Sequence, residues 1–137
     1  MKRSLALAFL ITVLGASVVF AGVTNISGQW SGTFVAIYAD GTIVELANGS
    51  ATIIQNESYP NLFYGFMTFE FGGESFTRLL TGYIGTDKRI SINLTEEDNG
   101  SFIPVGIIEG HLRGKTINGV VRDFTDTTTT MVIATKD

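Results

Sequence analysis

The sequence predicts an all-β fold, an antiparallel up-and-down meander of eight or nine strands closed into a small barrel, with a β-sandwich as the alternative. Three observations predict it. No window after Gly22 repeats apolar residues at helical spacing. Short β-branched and aromatic runs alternate apolar and polar positions with period two. Asp-Gly, Asn-Gly and Gly-Gly dipeptides separate the runs, and such residues tolerate the positive φ of hairpin turns.

The elements follow in order. The first run is residues 26–39, ended by Asp40-Gly41. Residues 42–47 and 50–56 are read as separate strands, because Asn48-Gly49 stands between them as a hairpin signal. Residues 62–71 form the most aromatic run and stop at Gly72-Gly73. Residues 75–84 come next, then 89–95, in which Ile90, Ile92 and Leu94 share one face. A polar loop, residues 96–100, leads to a run over 101–112 that Pro104 interrupts, so a bulge or a start at Val105 is expected. Residues 116–124 and 127–135 complete the meander. A weak repeat, Gly82-Tyr83-Ile84 and Gly110-His111-Leu112 each before a turn and a basic residue, reads as two similar hairpins.

Composition bounds the function. The chain has 137 residues, 45% hydrophobic and 16% charged, with no Cys, one His and a net charge of −4. That suits one domain and excludes disulfides, a thiol nucleophile and Cys-ligated metal. The negative balance argues against general capture of nucleic acid. Residues 1–21 read as a signal peptide: Lys2 and Arg3, an apolar stretch over 5–14, then Val19-Phe20-Ala21 before the cleavage point. Residues 22–137 are the expected barrel domain. A secreted or periplasmic location in a prokaryotic envelope is expected, with no stable membrane span once the signal is removed.

Gly28-Gln29-Trp30 stands near the start of the first strand. A Gly-x-Trp there, followed by a meander, resembles the calycin group of lipocalin-like and avidin-like barrels. The resemblance implies that Trp30 closes one barrel end and that a basic residue from a late strand, Arg122, packs on it. It also implies a small, largely apolar ligand at a barrel end. The single Trp does not carry over the several tryptophans of biotin binding.

Period two sets the candidate lining. If Trp30 faces inward, Phe34 and Tyr38 do too, with Gly32 and Ala36 leaving space beside them. Met67 and Phe69 come from the aromatic run. Arg78 interrupts the apolar parity of Phe76, Leu80 and Ile84. It either faces inward and needs an anion, or turns outward at a bulge, the reading preferred here. Phe34, Tyr38, Met67, Phe69 and Arg78 are therefore the expected ligand-binding residues, and Trp30 and Arg122 the structural pair. Glu109, His111 and Arg113 share one strand face, expected to be solvated. Asp123 and Asp126 among the threonines, and Glu96-Glu97-Asp98-Asn99, lack an EF-hand spacing. No cofactor, metal or catalytic residue is expected. The competing class is an envelope structural or adhesion module with a filled barrel. Five Asn-x-Ser/Thr sequons, at Asn25, Asn48, Asn56, Asn93 and Asn99, suit either glycosylation or turn chemistry.

Overall fold

The computed structural model describes residues 22–125 and 128–137. The expected signal peptide and Asp126 lie outside them. Eight strands follow in chain order: β1 (Gly28–Ile37), β2 (Ile43–Gln55), β3 (Leu62–Phe71), β4 (Glu74–Ile84), β5 (Arg89–Asp98), β6 (Ser101–Arg113), β7 (Thr116–Asp123) and β8 (Thr129–Lys136). Each pairs antiparallel with its sequence neighbours, and β1 pairs with β8, so the sheet is a closed barrel. Closure leaves no sheet edge open for another chain. The sandwich alternative is excluded.

Turn chemistry explains the hairpins at one end. Gly72 and Gly73 have φ of 62° and 83°, and Asn99 and Gly100 have 50° and 80°, the paired positive angles that a tight hairpin turn requires. Asn48-Gly49 is the exception. It lies inside β2, which runs unbroken through the two strands expected there. Gly49 serves a different need: a Cβ there would stand 2.8 Å from the Thr68 carbonyl and 3.0 Å from the Phe69 Cβ. The glycine permits close approach of β3 rather than a turn. Pro104 behaves as expected. The β5–β6 register shifts after Leu94, which faces Gly106, while Thr95 faces Pro104, leaving Val105 as the bulged residue.

Inward positions are apolar, and Trp30, Ile53, Phe63, Leu80, Ile84, Ile92, Ile108 and Ile117 form one core. Among the described residues no polar or charged side chain is fully buried. The outer wall carries Ser, Thr, Asn and charged side chains between scattered apolar ones.

The two ends differ. At one, the segment before β1 crosses the barrel floor. Ile26 is buried and Val23 packs against the core. Gln55 at the end of β2 fastens this segment. Its Oε1 accepts from Ile26 N–H (2.7 Å), and its Nε2 donates to the carbonyls of Thr24 (3.1 Å) and Pro60 (2.7 Å). We call this the closed end. The other is the open end, formed by the β1–β2, β3–β4, β5–β6 and β7–β8 connections. Here β4 and β5 part company: their ladder ends at Leu79 facing Thr95, although β4 begins at Glu74 and β5 continues to Asp98.

Candidate ligand site at the open end

Trp30 lies at the closed end, near the start of β1. It is 2% exposed, and its indole N–H donates to the Ile26 carbonyl at 2.9 Å. The ring is thus buried with its one polar group satisfied.

The expected Trp30–Arg122 contact does not form. Arg122 lies near the open end of β7, facing Ile107 of β6, with its side chain 72% exposed and ion-paired to Glu109 at 3.4 Å. Trp30 sits near the start of β1 beside Ala51 and Lys136. Length along the strand and side-chain parity both separate the pair. Val121 points inward, so its neighbour Arg122 must point outward.

Two cavities lie inside the barrel. The deeper, about 60 Å³, is lined by Trp30, Gly32, Gly49, Leu80, Ile92 and neighbours. Gly32 supplies the space expected of it. The larger, about 230 Å³, occupies the open end, between Leu46, Ala47, Phe71, Leu94, Val105 and Val121. Phe34 and Met67 line both, so these two side chains form the partition between them.

The structure brings four of the five expected ligand residues together here: Phe34, Met67, Phe69 and Arg78 all line the larger cavity. Tyr38 does not. It lies beyond β1, 44% exposed, where its backbone donates to Thr42 O and accepts from Gly41 N–H. The β1–β2 turn begins before period two can carry Tyr38 inward. Ala36 holds the inward place and is fully buried.

Arg78 corrects a second expectation. The β3–β4 ladder passes through Met67 facing Arg78 without a bulge, so Arg78 keeps the inward parity and its side chain is only 17% exposed. The required anion comes from the protein. Glu96 on β5 holds the Arg78 guanidinium at 3.2 Å, and Arg78 also donates to the Thr77 carbonyl at 3.1 Å. The ion pair stands where the β4–β5 ladder has just ended, so side chains span the gap that backbone bonds leave. The guanidinium lies 5.8 Å from the Phe69 ring centroid and 5.7 Å from that of Phe76, within cation–π range. Phe69 in turn packs on Phe76 at 5.5 Å and on Phe34 at 5.6 Å. The mouth therefore has an aromatic wall with one guanidinium embedded in it.

Asp123 and the alcohols of Thr128 and Thr130 also line this cavity, although sequence reasoning did not count them among the ligand residues. Asp123 Oδ1 accepts from Thr125 N–H at 2.7 Å and from Thr125 Oγ at 2.6 Å. Parity could have found Thr128 and Thr130, which share a strand face with inward Val132. The strand face expected to be solvated sits elsewhere. Glu109, His111 and Arg113 share the outer wall, all exposed, as expected. The five sequon asparagines are exposed too. Several shape local structure: Asn56 Oδ1 accepts from Ser58 and Tyr59 N–H, and Asn25 Oδ1 from Ser27 N–H. Among the described residues no group of three or more His, Cys, Asp or Glu is placed to hold a metal ion.

No protein-family model matches the chain. Comparison with curated proteins finds no similar sequence. The chain is an eight-stranded, closed antiparallel β-barrel with an apolar cavity at one end.

Proposed function

We propose that this is a calycin-like binding barrel that takes a compact, largely apolar ligand into its open end. The observation that carries this reading is the 230 Å³ cavity lined by Phe34, Met67, Phe69 and Val121, with the Arg78–Glu96 pair at its wall. Its volume sets the ligand class. An apolar cavity of about 150 Å³ is enough to hold benzene, whereas pockets for drug-sized ligands begin at about 300 Å³. The mouth thus suits one aromatic ring or a short alkyl chain. A longer tail needs Phe34 and Met67 to swing aside and join the deeper cavity. The reading includes export to a prokaryotic envelope, which rests on the pattern of residues 1–21.

The competing reading, an envelope structural or adhesion module without a small ligand, draws support from the same volumes. Neither cavity reaches about 300 Å³. A panel of compact apolar ligands and hydrophobic dyes, titrated against the protein and an Ala47→Phe variant, separates the two. Ala47 is buried and lines the mouth, so a benzyl group there occupies the ligand's space. Saturable binding that Ala47→Phe abolishes supports the ligand reading. Absence of saturable binding across the panel supports the filled module.

A further inference from the structure

The barrel is electrically and chemically lopsided along its axis. Asp40, Glu45, Glu70, Glu74, Glu97 and Asp98 all lie on the hairpins of the open end, exposed. The two bases on that half, Arg78 and Arg122, are already paired with Glu96 and Glu109. At the closed end the sign reverses. Lys88, Arg89, Arg113, Lys115 and Lys136 form one continuous arc: Leu112 N–H donates to the Lys88 carbonyl at 2.9 Å, Lys136 N–H donates to the Lys115 carbonyl at 2.8 Å, and Arg89 faces His111. Glu57, Asp87 and Asp137 only partly offset this arc, and Asp87 is paired with Arg89.

Both ends also expose large apolar side chains. The open-end hairpins present Ile43, Phe71, Phe102 and Phe124, with Phe102 63% exposed. The closed end presents Tyr59, Leu62 and Tyr83. One element projects furthest from its neighbours. From Glu96 to Asp98, β5 pairs only with Ser101 to Ile103 of β6, because the β4–β5 ladder ends at Thr95 and the β6–β7 ladder starts at Gly106. This finger carries Glu97, Asp98 and Phe102 at its tip.

We infer that the open end of one molecule seats on the closed end of a second copy, with the acidic, Phe102-bearing finger against the Arg113–Lys115 arc. Opposed charge steers and orients such an encounter, and the apolar tips of both ends are covered together. The two surfaces differ, so the contact is heterologous and repeats into an open stack rather than closing as a dimer. An anionic bilayer is a poorer occupant of the basic end. It leaves the apolar open end uncovered and repels a chain whose net charge is −4. A seated copy covers the mouth, but the contact uses none of the cavity lining, since Glu97, Asp98, Arg113 and Lys115 do not line the mouth cavity.

Sedimentation of the purified protein over a concentration series, at low and at 0.5 M salt (roughly a 4 Å Debye length), tests this. The weight-average mass is expected to rise past twice the monomer mass at low salt and to fall in high salt. Glu97→Lys/Asp98→Lys and Arg113→Glu/Lys115→Glu should each stay monomeric with unchanged melting temperature, and mixing the two should restore association. A monomer under every condition overturns the proposal. So does association that both variants retain, or that mixing fails to restore. Wild-type monomer that sediments with phosphatidylglycerol vesicles, and loses this in Arg113→Glu/Lys115→Glu, assigns the basic end to a membrane and also overturns the stack.

Discussion

Trp30 and Arg122 show how differently two residues of one expected pair can weigh. Removing the Trp30 ring empties the floor of the barrel and strands the Ile26 carbonyl it satisfies. Trp30→Ala should cost about 3–5 kcal/mol, the range for deleting a large buried aromatic. That is a large share of the roughly 5–15 kcal/mol by which most domains are stable. Arg122→Ala, at an exposed ion pair, should cost at most about 1 kcal/mol. Denaturant unfolding of both variants with equal m-values checks the contrast. Asp40 offers a pH probe. The Thr42 backbone N–H, at 2.9 Å, holds its carboxyl below the usual 3.8. A carboxylate depressed in the folded state contributes stability above its unfolded pKa and loses it as pH falls through the lowered value. The β1–β2 turn should therefore loosen only below about pH 3.8. A carboxyl titration by NMR should place the Asp40 midpoint under that value, and Thr42→Pro, which lacks the donor, should raise it.

At the scale of the strand, most of the fold was legible. Period-two patterning found every strand, and Gly72-Gly73 marked its hairpin, but the loop expected over 96–100 shrinks to Asn99-Gly100 because β5 runs on to Asp98. What failed was local. Asn48-Gly49 carries a turn signal, but Gly49 is needed where β3 crosses closely, a demand set by the neighbouring strand and invisible in the dipeptide. Arg78 looked like an interruption because its partner, Glu96, lies across a ladder that ends at that point. Tyr38 was misplaced by extending a period past the strand's end. Gln55 carried no sequence signal at all, since its partners Thr24, Ile26 and Pro60 meet it only after closure. Two variants probe this level. Gln55→Ala unfastens the floor segment and should cost about 1–3 kcal/mol through unsatisfied backbone groups, seen as faster amide exchange at Ile26. Gly82→Ala forces a Cβ into the Phe63 ring and the Ser91 carbonyl. It should lower the melting temperature by several degrees, roughly what 1–3 kcal/mol of overpacking produces in a domain this size.

For the whole molecule, closure creates the site. Eight strands enclose an interior only just wide enough for side chains to fill or for one small ligand. Trp30, Phe63 and the Gln55-fastened segment fill the closed end. Splayed β4 and β5 leave the other end open, and the cavity lies there. Phe34 was legible from parity and Met67 and Phe69 from the aromatic run, whereas the inward place of Arg78 was not, since the preferred reading turned it outward at a bulge. Asp123, the last residue of β7, was not counted among the ligand residues. The most direct test of the account is a methyl-resolved NMR titration with compact apolar ligands. The account predicts saturable shifts at the Met67, Ala47, Leu46, Val105 and Val121 methyls, with those of Ile54 and Ile133 on the outer wall unmoved. No saturable shift, or shifts confined to the outer wall, would contradict it.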